Sequence, residues 1–213
     1  MDQALEDFSL IETLRYEPQT GFVRLRLHLA RLQRSARRLG FPAPKDALTK
    51  LDAAVAGATA PLRVRLTFDR AGQTDITTAV FMPLAADTVW RVRIAKTRID
   101  SADTLLRVKT TRRSVYEAAR AEYPQVEADE VLLLNEKGEV CEGTITSIFL
   151  DDGSAPLRTP PISCGLLAGV LRTELICQRK ARVGRIRLDE LENATLYVGN
   201  SLRGLIRAQL LWN

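Results

Sequence analysis

A lysine at the edge of an apolar segment is the first residue of this chain whose type and place favour chemistry. Lys109 follows Leu105, Leu106 and Val108 in the stretch LLRVKTTRRSVY. A lysine that is partly withdrawn from water and close to other cations has a lowered pKa, and its neutral amine can attack a carbonyl to form a Schiff base. Lys109 equally fits an ordinary surface lysine before a basic helix.

A glutamate inside an apolar stretch is the second such residue. Glu142 lies in VCEGTITSIF, where a carboxylate is costly unless a cation or a hydrogen-bond donor meets it. A protonated pyridine nitrogen is one such partner. For a cofactor aldehyde held by Lys109, a carboxylate at that nitrogen would keep the ring positive and make it an electron sink. A glutamate at the end of a strand is the ordinary alternative.

A glycine-led helix offers a place for an anion. Gly165 and Gly169 enclose the stretch GLLAG, and Val170 and Leu171 begin the helix that follows. Backbone N–H groups at such a start can point at a phosphate, with the helix dipole behind them. Simple helix capping explains the same residues.

Further residues could contact anionic groups. Ser201, in GNSLRG, offers a hydroxyl and an amide, although a turn is the ordinary reading. Arg31 lies one helical turn after His28 in HLARL and could grip a phosphate, or it could be a surface arginine. Arg63 and Arg65 share one face of a predicted strand, where paired guanidinium groups could bind substrate carboxylates. An exposed charged strand face is the alternative for these two.

The sequence lacks the residue types that several classes of enzyme require. His28 is the only histidine, so Ser-His-Asp, Cys-His and multi-histidine metal chemistry are disfavoured. Three cysteines without CxxC or Cys/His spacing support neither a disulfide framework nor a zinc site, and we expect no metal. They are Cys141, Cys164 and Cys177.

Charge and composition favour a small ligand over nucleic acid. The 31 basic residues are spread along the chain and largely matched by 26 acids, and aromatics are only 6%. We therefore expect a small anionic ligand and no nucleic acid. No apolar run approaches the roughly 20 residues that cross a bilayer, and the first residues do not read as a signal segment. We expect a soluble, cytoplasmic protein that does not contact the membrane.

The periodicity of the sequence predicts an α+β protein with a boundary near residues 84 to 90. Its two domains would span residues 1–86 and 87–213. The predicted strands are 8–16, 21–28, 61–68, 74–84, 89–99, two within 129–153 around a turn at 136–138, and 194–200. Four helices are predicted: 29–41, stopped by Gly40 and Pro42; 46–58; an amphipathic helix at the end of 105–120; and 165–180. A final strand or helix follows 201.

Taken in order, separate stretches of the chain resemble the landmarks of fold-type IV (class IV) pyridoxal-phosphate enzymes. They are ETL, HLARLQRSARRLGF, KTTRRSVY, DEVLLLNEKGEVCEGTITSIF, TPPISCGLLAGVLR and YVGNSLRGL. The family includes branched-chain aminotransferases, D-amino acid aminotransferases and 4-amino-4-deoxychorismate lyases. The resemblance implies a two-domain fold like that of D-amino acid aminotransferase. A small α/β sandwich would join a larger β-rich pseudo-barrel domain that carries the Schiff-base lysine, with the cofactor at the interface.

The resemblance also assigns roles to individual residues. Lys109 matches the lysine that binds pyridoxal 5'-phosphate, and Glu142 matches the partner of the pyridine nitrogen. Arg65 is the candidate for binding substrate. The residues that match the family's phosphate-binding positions are Arg31, Val170, Leu171 and Ser201.

Departures from the family pattern bear on the reaction. Many aminotransferases of the family have a tyrosine five positions beyond the lysine that touches the phenolate oxygen of the cofactor, but Ser114 stands here and Tyr116 comes two residues later. Leu171 replaces a frequent threonine, and Ser147 an asparagine. The missing tyrosine and the GNSLRGL segment favour 4-amino-4-deoxychorismate lyase, which releases pyruvate and 4-aminobenzoate.

Two alternatives to the lyase stay open at this point. One is an aminotransferase acting on branched-chain or D-amino acids, and the other is a degenerate protein that binds pyridoxal phosphate or a metabolite without turnover. The resemblance further implies a homodimer, a small anionic amino-acid-like substrate, and aminobenzoate synthase component I as a partner in folate biosynthesis.

Overall fold

The computed structural model of the protein describes residues 8–192 and 194–212. The predicted α+β class is confirmed, because the described residues form four α-helices and twelve strands, and the strands make two separate sheets. Residues 1–7, which the sequence analysis places in the smaller domain, lie outside the described residues. No helix in the described part of the chain is long and apolar enough to cross a membrane.

The chain divides into two compact units. Unit 1 comprises the residues up to Met82 together with Val108–Arg112, and unit 2 comprises Pro83–Arg107 and the chain from Arg113 onward. Lys109 therefore groups with the smaller unit, whereas the sequence analysis placed it in the larger one. The segment around Lys109 joins unit 1 because its backbone pairs with the first strand of that unit.

Unit 1 is a four-stranded antiparallel sheet with two helices packed on one face. The strand order is β2-β1-β3-β4. In chain order its elements are β1 (Leu10–Glu17), β2 (Gly21–Phe22), α1 (Leu25–Leu39), α2 (Ala47–Val55), β3 (Leu62–Phe68) and β4 (Thr74–Val80). The second helix and the hairpin formed by β3 and β4 agree with the sequence-based expectation.

The strand predicted over 21–28 is wrong beyond β2, because α1 begins at Leu25. Arg24 adopts a left-handed backbone with φ of 59°, which turns the chain from β2 into the helix within two residues. Leu25 and Leu27 alternate as in a strand, but Leu25, Leu29 and Leu32 recur at the spacing of one helix face, and packing of that face in the core of unit 1 decides the outcome. The predicted stop is confirmed, since Gly40 is left-handed and its N–H donates to the carbonyls of Ala36 and Arg37.

Alternation along β1 and β3 fixes which side chains meet α1. Leu14, Val64 and Leu66 are fully buried in the core beneath the two helices. Burying a leucine of this kind contributes about 1.5–3 kcal/mol. The core therefore fixes the register of β1, and with it the positions of the polar residues of that strand.

Unit 2 is built on an eight-stranded sheet with order β10-β9-β8-β11-β12-β5-β6-β7. Its strands are β5 (Val89–Ile99), β6 (Glu130–Asn135), β7 (Val140–Gly143), β8 (Ser147–Asp151), β9 (Leu157–Thr159), β10 (Ala181–Val183), β11 (Thr195–Asn200) and β12 (Gly204–Leu210). Its helices are α3 (Ser114–Ala121) and α4 (Val170–Cys177). The final element, left open between strand and helix, is thus a strand.

The sheet of unit 2 closes into a ring. Strand β7 pairs with β8 as well as with β6, so β8, β11, β12, β5, β6 and β7 form a closed circuit. The closing contact is the pair Glu142↔Ser147. Every second residue of these strands points into an apolar interior that includes Val92, Ile148 and Val198, all fully buried. This is the barrel-like domain implied by the resemblance.

Candidate active site

The segment that carries Lys109 lies alongside β1. The amide of Ile11 donates to the carbonyl of Lys109 at 2.9 Å, and Leu10 forms an antiparallel bridge with Thr110. The sheet of unit 1 therefore fixes the backbone of the candidate nucleophile, a residue that is half-buried.

A buried carboxylate organises the polar residues beneath α1. Glu12, on β1, is 2% exposed. Arg31 donates from Nε to Oε1 at 2.8 Å and from Nη2 to Oε2 at 2.6 Å. The Nδ1 of His28 lies 2.6 Å from the same Oε2. Residues three apart share one face of a helix, so both α1 side chains reach one carboxylate, and Glu12 orients the predicted phosphate-binding arginine.

The protonation states in this cluster follow from burial and charge. Burial raises the pKa of Glu12, but the charge of Arg31 and the hydrogen bonds from His28 and Arg31 outweigh it and bring the pKa from 4.5 to about 2. Burial is the largest influence on His28 and lowers its pKa below 6.5, despite the contact with Glu12. We therefore assign a neutral imidazole that donates from Nδ1. The charge of Lys109 also lowers the His28 pKa, so Lys109 acts electrostatically on this cluster.

We expect the Glu12 cluster to make folding stability depend on pH. The pKa of Glu12 is depressed in the folded state, so its stabilisation is complete above about 4.5 and is lost as the pH falls from there towards about 2. The gap between 4.5 and about 2 corresponds to a stabilisation on the order of 3 kcal/mol. Urea unfolding of wild type and Glu12→Gln, at a series of pH values from 7 to 2.5, measures this contribution.

Glu127→Gln is the matched control for that measurement, because Glu127 is exposed. The control should follow wild type at every pH, whereas Glu12→Gln should be less stable at pH 7 and lose less stability on acidification. Parallel curves for wild type and Glu12→Gln below pH 4.5 would show that the carboxylate is not held ionised by Arg31.

Arg65 projects from the other face of the unit 1 sheet. It lies opposite Thr13 of β1, whereas Glu12 lies opposite Leu66, which belongs to the buried face. Arg63 shares the face of Arg65 and is exposed, and Arg65 is partly buried. The predicted common face of the two arginines is thus confirmed, and it is separate from the face that holds Glu12 and Arg31.

Glu142 lies at the point where the ring of unit 2 closes. Its side chain is 5% exposed. Its Oε1 accepts hydrogen bonds from the hydroxyl of Tyr116 at 2.8 Å and from the amide of Leu167 at 3.2 Å. Its strand neighbours are Leu133 and Ser147. The structure thus supplies donors that stabilise an ionised carboxylate at this buried position.

A second buried carboxylate shapes the loop that follows Glu142. Glu130, 1% exposed, accepts hydrogen bonds on both oxygens from five donors in its own strand and in this loop. They are the amides of Val131, Thr144 and Ile145 and the hydroxyls of Thr144 and Thr146. Glu130 therefore fixes the chain immediately after the candidate cofactor residue.

The start of α4 lies next to Glu142. Gly169 precedes the helix, and a Cβ on it would approach the Oγ of Ser147 to 2.5 Å, so only glycine fits without movement of that side chain. Val170 and Leu171 are buried in the first turn, where amides lack an acceptor within the helix. Among the described residues, no backbone or side-chain oxygen accepts from either amide. The start at Val170 is confirmed, whereas the predicted range 165–180 begins five residues too early and ends three too late. The amides of the first turn are available to an anion.

Ser201 lies in the turn between β11 and β12, close to the same helix start. Asn200 shapes this turn, since its Oδ1 accepts from the amides of Leu202 and Arg203 at 3.1 and 3.0 Å. A Cβ on Gly199 would come within 2.9 Å of the Leu171 side chain. The structure therefore brings three of the four predicted phosphate residues together in unit 2, and it places Arg31 in unit 1.

A buried arginine adds positive charge near Glu142. Arg172, in the first turn of α4, is 4% exposed and donates from Nη2 to the carbonyl of Pro160 at 2.7 Å. Its Nε has no hydrogen-bond partner among the described residues. Burial lowers the pKa of Arg172, and the charge of Glu142 opposes this effect. The carboxylate of Glu142 thus lies within electrostatic reach of a cation of its own unit.

Three residues of these clusters were missed in the sequence analysis. Glu130 left a readable signal, because it is an acid at the start of an apolar strand that has no exposed position. Glu12 lies in the ETL landmark, but nothing local indicates its pairing with α1. Tyr116 lies two residues beyond the position of the family's tyrosine, and its bond to Glu142, 26 residues away, follows only from the fold.

Fold and site together define a class. One unit is a small antiparallel α/β unit with a half-buried lysine. The other is a closed β-ring with a buried glutamate beside a helix start. Two such units in one chain are the architecture of fold-type IV enzymes. The model of the class IV amino-transferase family matches residues 9–211. The chain belongs to the class IV aminotransferase family, and it is a pyridoxal-phosphate-dependent enzyme, an aminotransferase or a lyase.

Solved structures agree with this placement. A candidate amino-acid aminotransferase from Mesorhizobium loti is 51% identical and superposes with a TM-score of 0.94 over 96% of this chain and 100% of its own. A candidate branched-chain aminotransferase from Thermotoga maritima is 25% identical, with a TM-score of 0.85 over 97% of this chain and 77% of its own. The 4-amino-4-deoxychorismate lyase from Pseudomonas aeruginosa, at 23% identity, shares the fold with a TM-score of 0.80 over 99% and 88%. No curated protein sequence matches the chain.

The residues present suit pyridoxal phosphate, the cofactor of this family. The amine of a half-buried lysine suits an aldehyde, and a buried carboxylate with hydrogen-bond donors suits a ring nitrogen that must stay protonated. The amides of Val170 and Leu171, which have no acceptor among the described residues, suit a phosphate. Each requirement of the cofactor thus has a matching group in one of the two units.

Proposed function

We propose that the protein is a 4-amino-4-deoxychorismate lyase that releases pyruvate and 4-aminobenzoate. Lys109 binds the cofactor aldehyde, and Glu142 holds the proton of the ring nitrogen. Arg31, Val170, Leu171 and Ser201 hold the phosphate. The observation that carries the cofactor assignment is the buried, hydrogen-bonded carboxylate of Glu142 beside the start of α4.

The chain's own groups have defined tasks in this reaction. When bound, pyridoxal phosphate supplies an electron sink for the carbon that bears the substrate amine. Lys109 would hold the cofactor until the substrate binds, and its Nζ would then be the base that takes the proton from the same carbon. Arg65 binds a carboxylate of the substrate. Loss of the enolpyruvyl group makes the ring aromatic, which drives the reaction forward.

The contact of Tyr116 with Glu142 supports the lyase over a transaminase. The residue five positions beyond Lys109 is Ser114, which is exposed, and the nearby Tyr116 places its hydroxyl on Glu142. This segment therefore offers no phenol at the position that many aminotransferases of the family use. We further propose a homodimer, as is typical of the family, and a functional link to aminobenzoate synthase component I.

An aminotransferase is the second candidate, and one observation favours it. The structure from Mesorhizobium loti that is 51% identical over its whole chain is described as an amino-acid aminotransferase. In that reaction Lys109 would move the proton a second time, and the amine of an amino acid would be transferred to a keto acid. The same residues would serve both reactions until that step.

Product analysis distinguishes the two candidates. The holoenzyme is incubated with 4-amino-4-deoxychorismate, and separately with L- and D-amino acids plus 2-oxoglutarate. We expect equal amounts of 4-aminobenzoate and pyruvate in the first reaction and little glutamate in the second. Glutamate formation without 4-aminobenzoate would establish the aminotransferase. If neither 4-aminobenzoate nor glutamate were formed, both candidates would be contradicted.

A further inference from the structure

The hydroxyl of Tyr116 lies on the carboxylate of Glu142. It donates to Oε1 at 2.8 Å, and the amide of Leu167 donates to the same oxygen at 3.2 Å. The shorter of the two bonds therefore comes from a side chain. Two donors that converge on one oxygen restrict the orientation of the carboxylate and favour its ionised form.

Tyr116 is itself held in place. It lies in the first turn of α3 and packs against the apolar cluster between α3 and β6. The guanidinium of Arg113 lies 4.7 Å from the centre of its ring and donates from Nη2 to the carbonyl of Thr144 at 2.6 Å. Thr144 follows Glu142 by two residues and is fixed by Glu130. The phenol and the carboxylate are therefore parts of one rigid network.

The hydroxyl of Tyr116 keeps its proton. Burial raises the pKa of Tyr116, and the neighbouring charge of Glu142 raises it further. The phenol thus stays protonated at neutral pH and remains a hydrogen-bond donor. A donor of this kind favours the ionised form of the carboxylate that accepts the bond.

We propose that Tyr116 is a positioning residue that keeps Glu142 ionised and in one orientation, so that the proton between Glu142 and the ring nitrogen of the cofactor stays on the nitrogen. The inference rests on the proposed role of Glu142. Tyr116 acts through Glu142 and touches no reacting atom. Other members of the family have a phenol near the phenolate oxygen of the cofactor. In this protein the phenol of Tyr116 would act on the nitrogen side of the ring instead.

The experiment compares two cofactors in Tyr116→Phe. Dissociation constants are measured by titrating the apoenzyme with pyridoxal phosphate and with the analogue in which C–H replaces the ring nitrogen. We expect pyridoxal phosphate to bind roughly tenfold more weakly than in wild type, as for the loss of one hydrogen bond to a charged group. The analogue has no nitrogen for Glu142 to hold, so its dissociation constant should change less than about twofold.

Tyr123→Phe is the matched control. The hydroxyl of Tyr123 donates to the carbonyl of Ile94 at 3.1 Å, so this variant removes a similar phenol from the same unit without touching Glu142. Both dissociation constants should stay at the wild-type value. Circular dichroism and the unfolding temperature check that each variant is folded, and a loosened fold would weaken both cofactors alike.

Glu142→Gln separates the failure of this inference from the failure of the proposed function. If Glu142 is the partner of the nitrogen, this variant loses the preference for pyridoxal phosphate over the analogue, and adding Tyr116→Phe changes nothing more. An unchanged preference in Glu142→Gln would overturn the role of Glu142 itself. If Glu142→Gln lost the preference for pyridoxal phosphate over the analogue while Tyr116→Phe kept it, the role of Tyr116 alone would be overturned.

Discussion

Lys109→Ala is expected to abolish covalent capture of pyridoxal phosphate and to reduce turnover by at least roughly 10²–10⁴-fold, the loss that removal of a proton-transferring group alone causes. The amine of the half-buried Lys109 is the group to which we assign the cofactor aldehyde. Without it, the visible absorption band of lysine-bound cofactor should be absent. Reduction with borohydride followed by peptide mapping should place the phosphopyridoxyl group on Lys109 in wild type and on no peptide in the variant.

Lys45→Ala is the control for this prediction, because Lys45 is an exposed lysine of the same unit. It should keep the absorption band, the labelled peptide and the turnover of wild type. The assignment fails if the band persists in Lys109→Ala, or if the label in wild type is found on another lysine.

Local signals were sufficient for much of the fold. The strand predicted over 89–99 is β5 with the same bounds, since Trp90 to Ile94 alternate between apolar and charged types and β-branched residues flank them. The turn predicted at 136–138 separates β6 from β7, because Gly138 supplies the positive φ that this turn requires. The hairpin of β3 and β4 follows in the same way from alternation around DRAG. These features depend on residues that are neighbours in sequence.

Long-range pairing decided the features that the sequence analysis placed wrongly. Period-2 and period-3.6 readings both fit residues 21–28, and only the sheet beneath α1 selects the helix. Lys109 lies between two segments of unit 2, yet its backbone pairs with Ile11, which lies 98 residues earlier in the sequence. No local pattern encodes such a contact. The shorter strands β9 and β10, of three residues each, were missed because they hold too few residues to show alternation.

In the candidate site, too, local signals identified some residues and only long-range contacts identify the others. Residues that carry chemistry, such as Lys109 and Glu142, were found because their types are unusual for their surroundings and because they match a family motif. Residues that hold these groups were missed, because Glu12 and Tyr116 are ordinary residue types whose partners come from distant parts of the chain. Sequence reasoning therefore finds the reactive groups of such a site more readily than the groups that orient them.

Glu142→Gln is expected to keep the fold and bind pyridoxal phosphate at saturating concentration, while turnover falls by roughly 10²–10³-fold, as for loss of a preorganised electrostatic contact. The amide oxygen of glutamine can still accept from Tyr116 and Leu167, so the local structure should persist. The remaining amide group cannot pair its charge with a protonated ring nitrogen, which weakens the electron sink. Steady-state kinetics with saturating cofactor, together with the visible spectrum, measure both effects.

Glu117→Gln provides the control for this last prediction, since Glu117 is an exposed acid on α3, the helix that carries Tyr116. Its kinetics should equal those of wild type. If Glu142→Gln turned over at the wild-type rate with a normal spectrum, the buried carboxylate would serve only to join β7 to α3 and to the segment that precedes α4. A loss of cofactor binding with turnover restored at high cofactor concentration would mean that Glu142 contributes affinity and not electron withdrawal. The prediction of slow turnover at full occupancy separates these roles, because only electron withdrawal acts after the cofactor is bound.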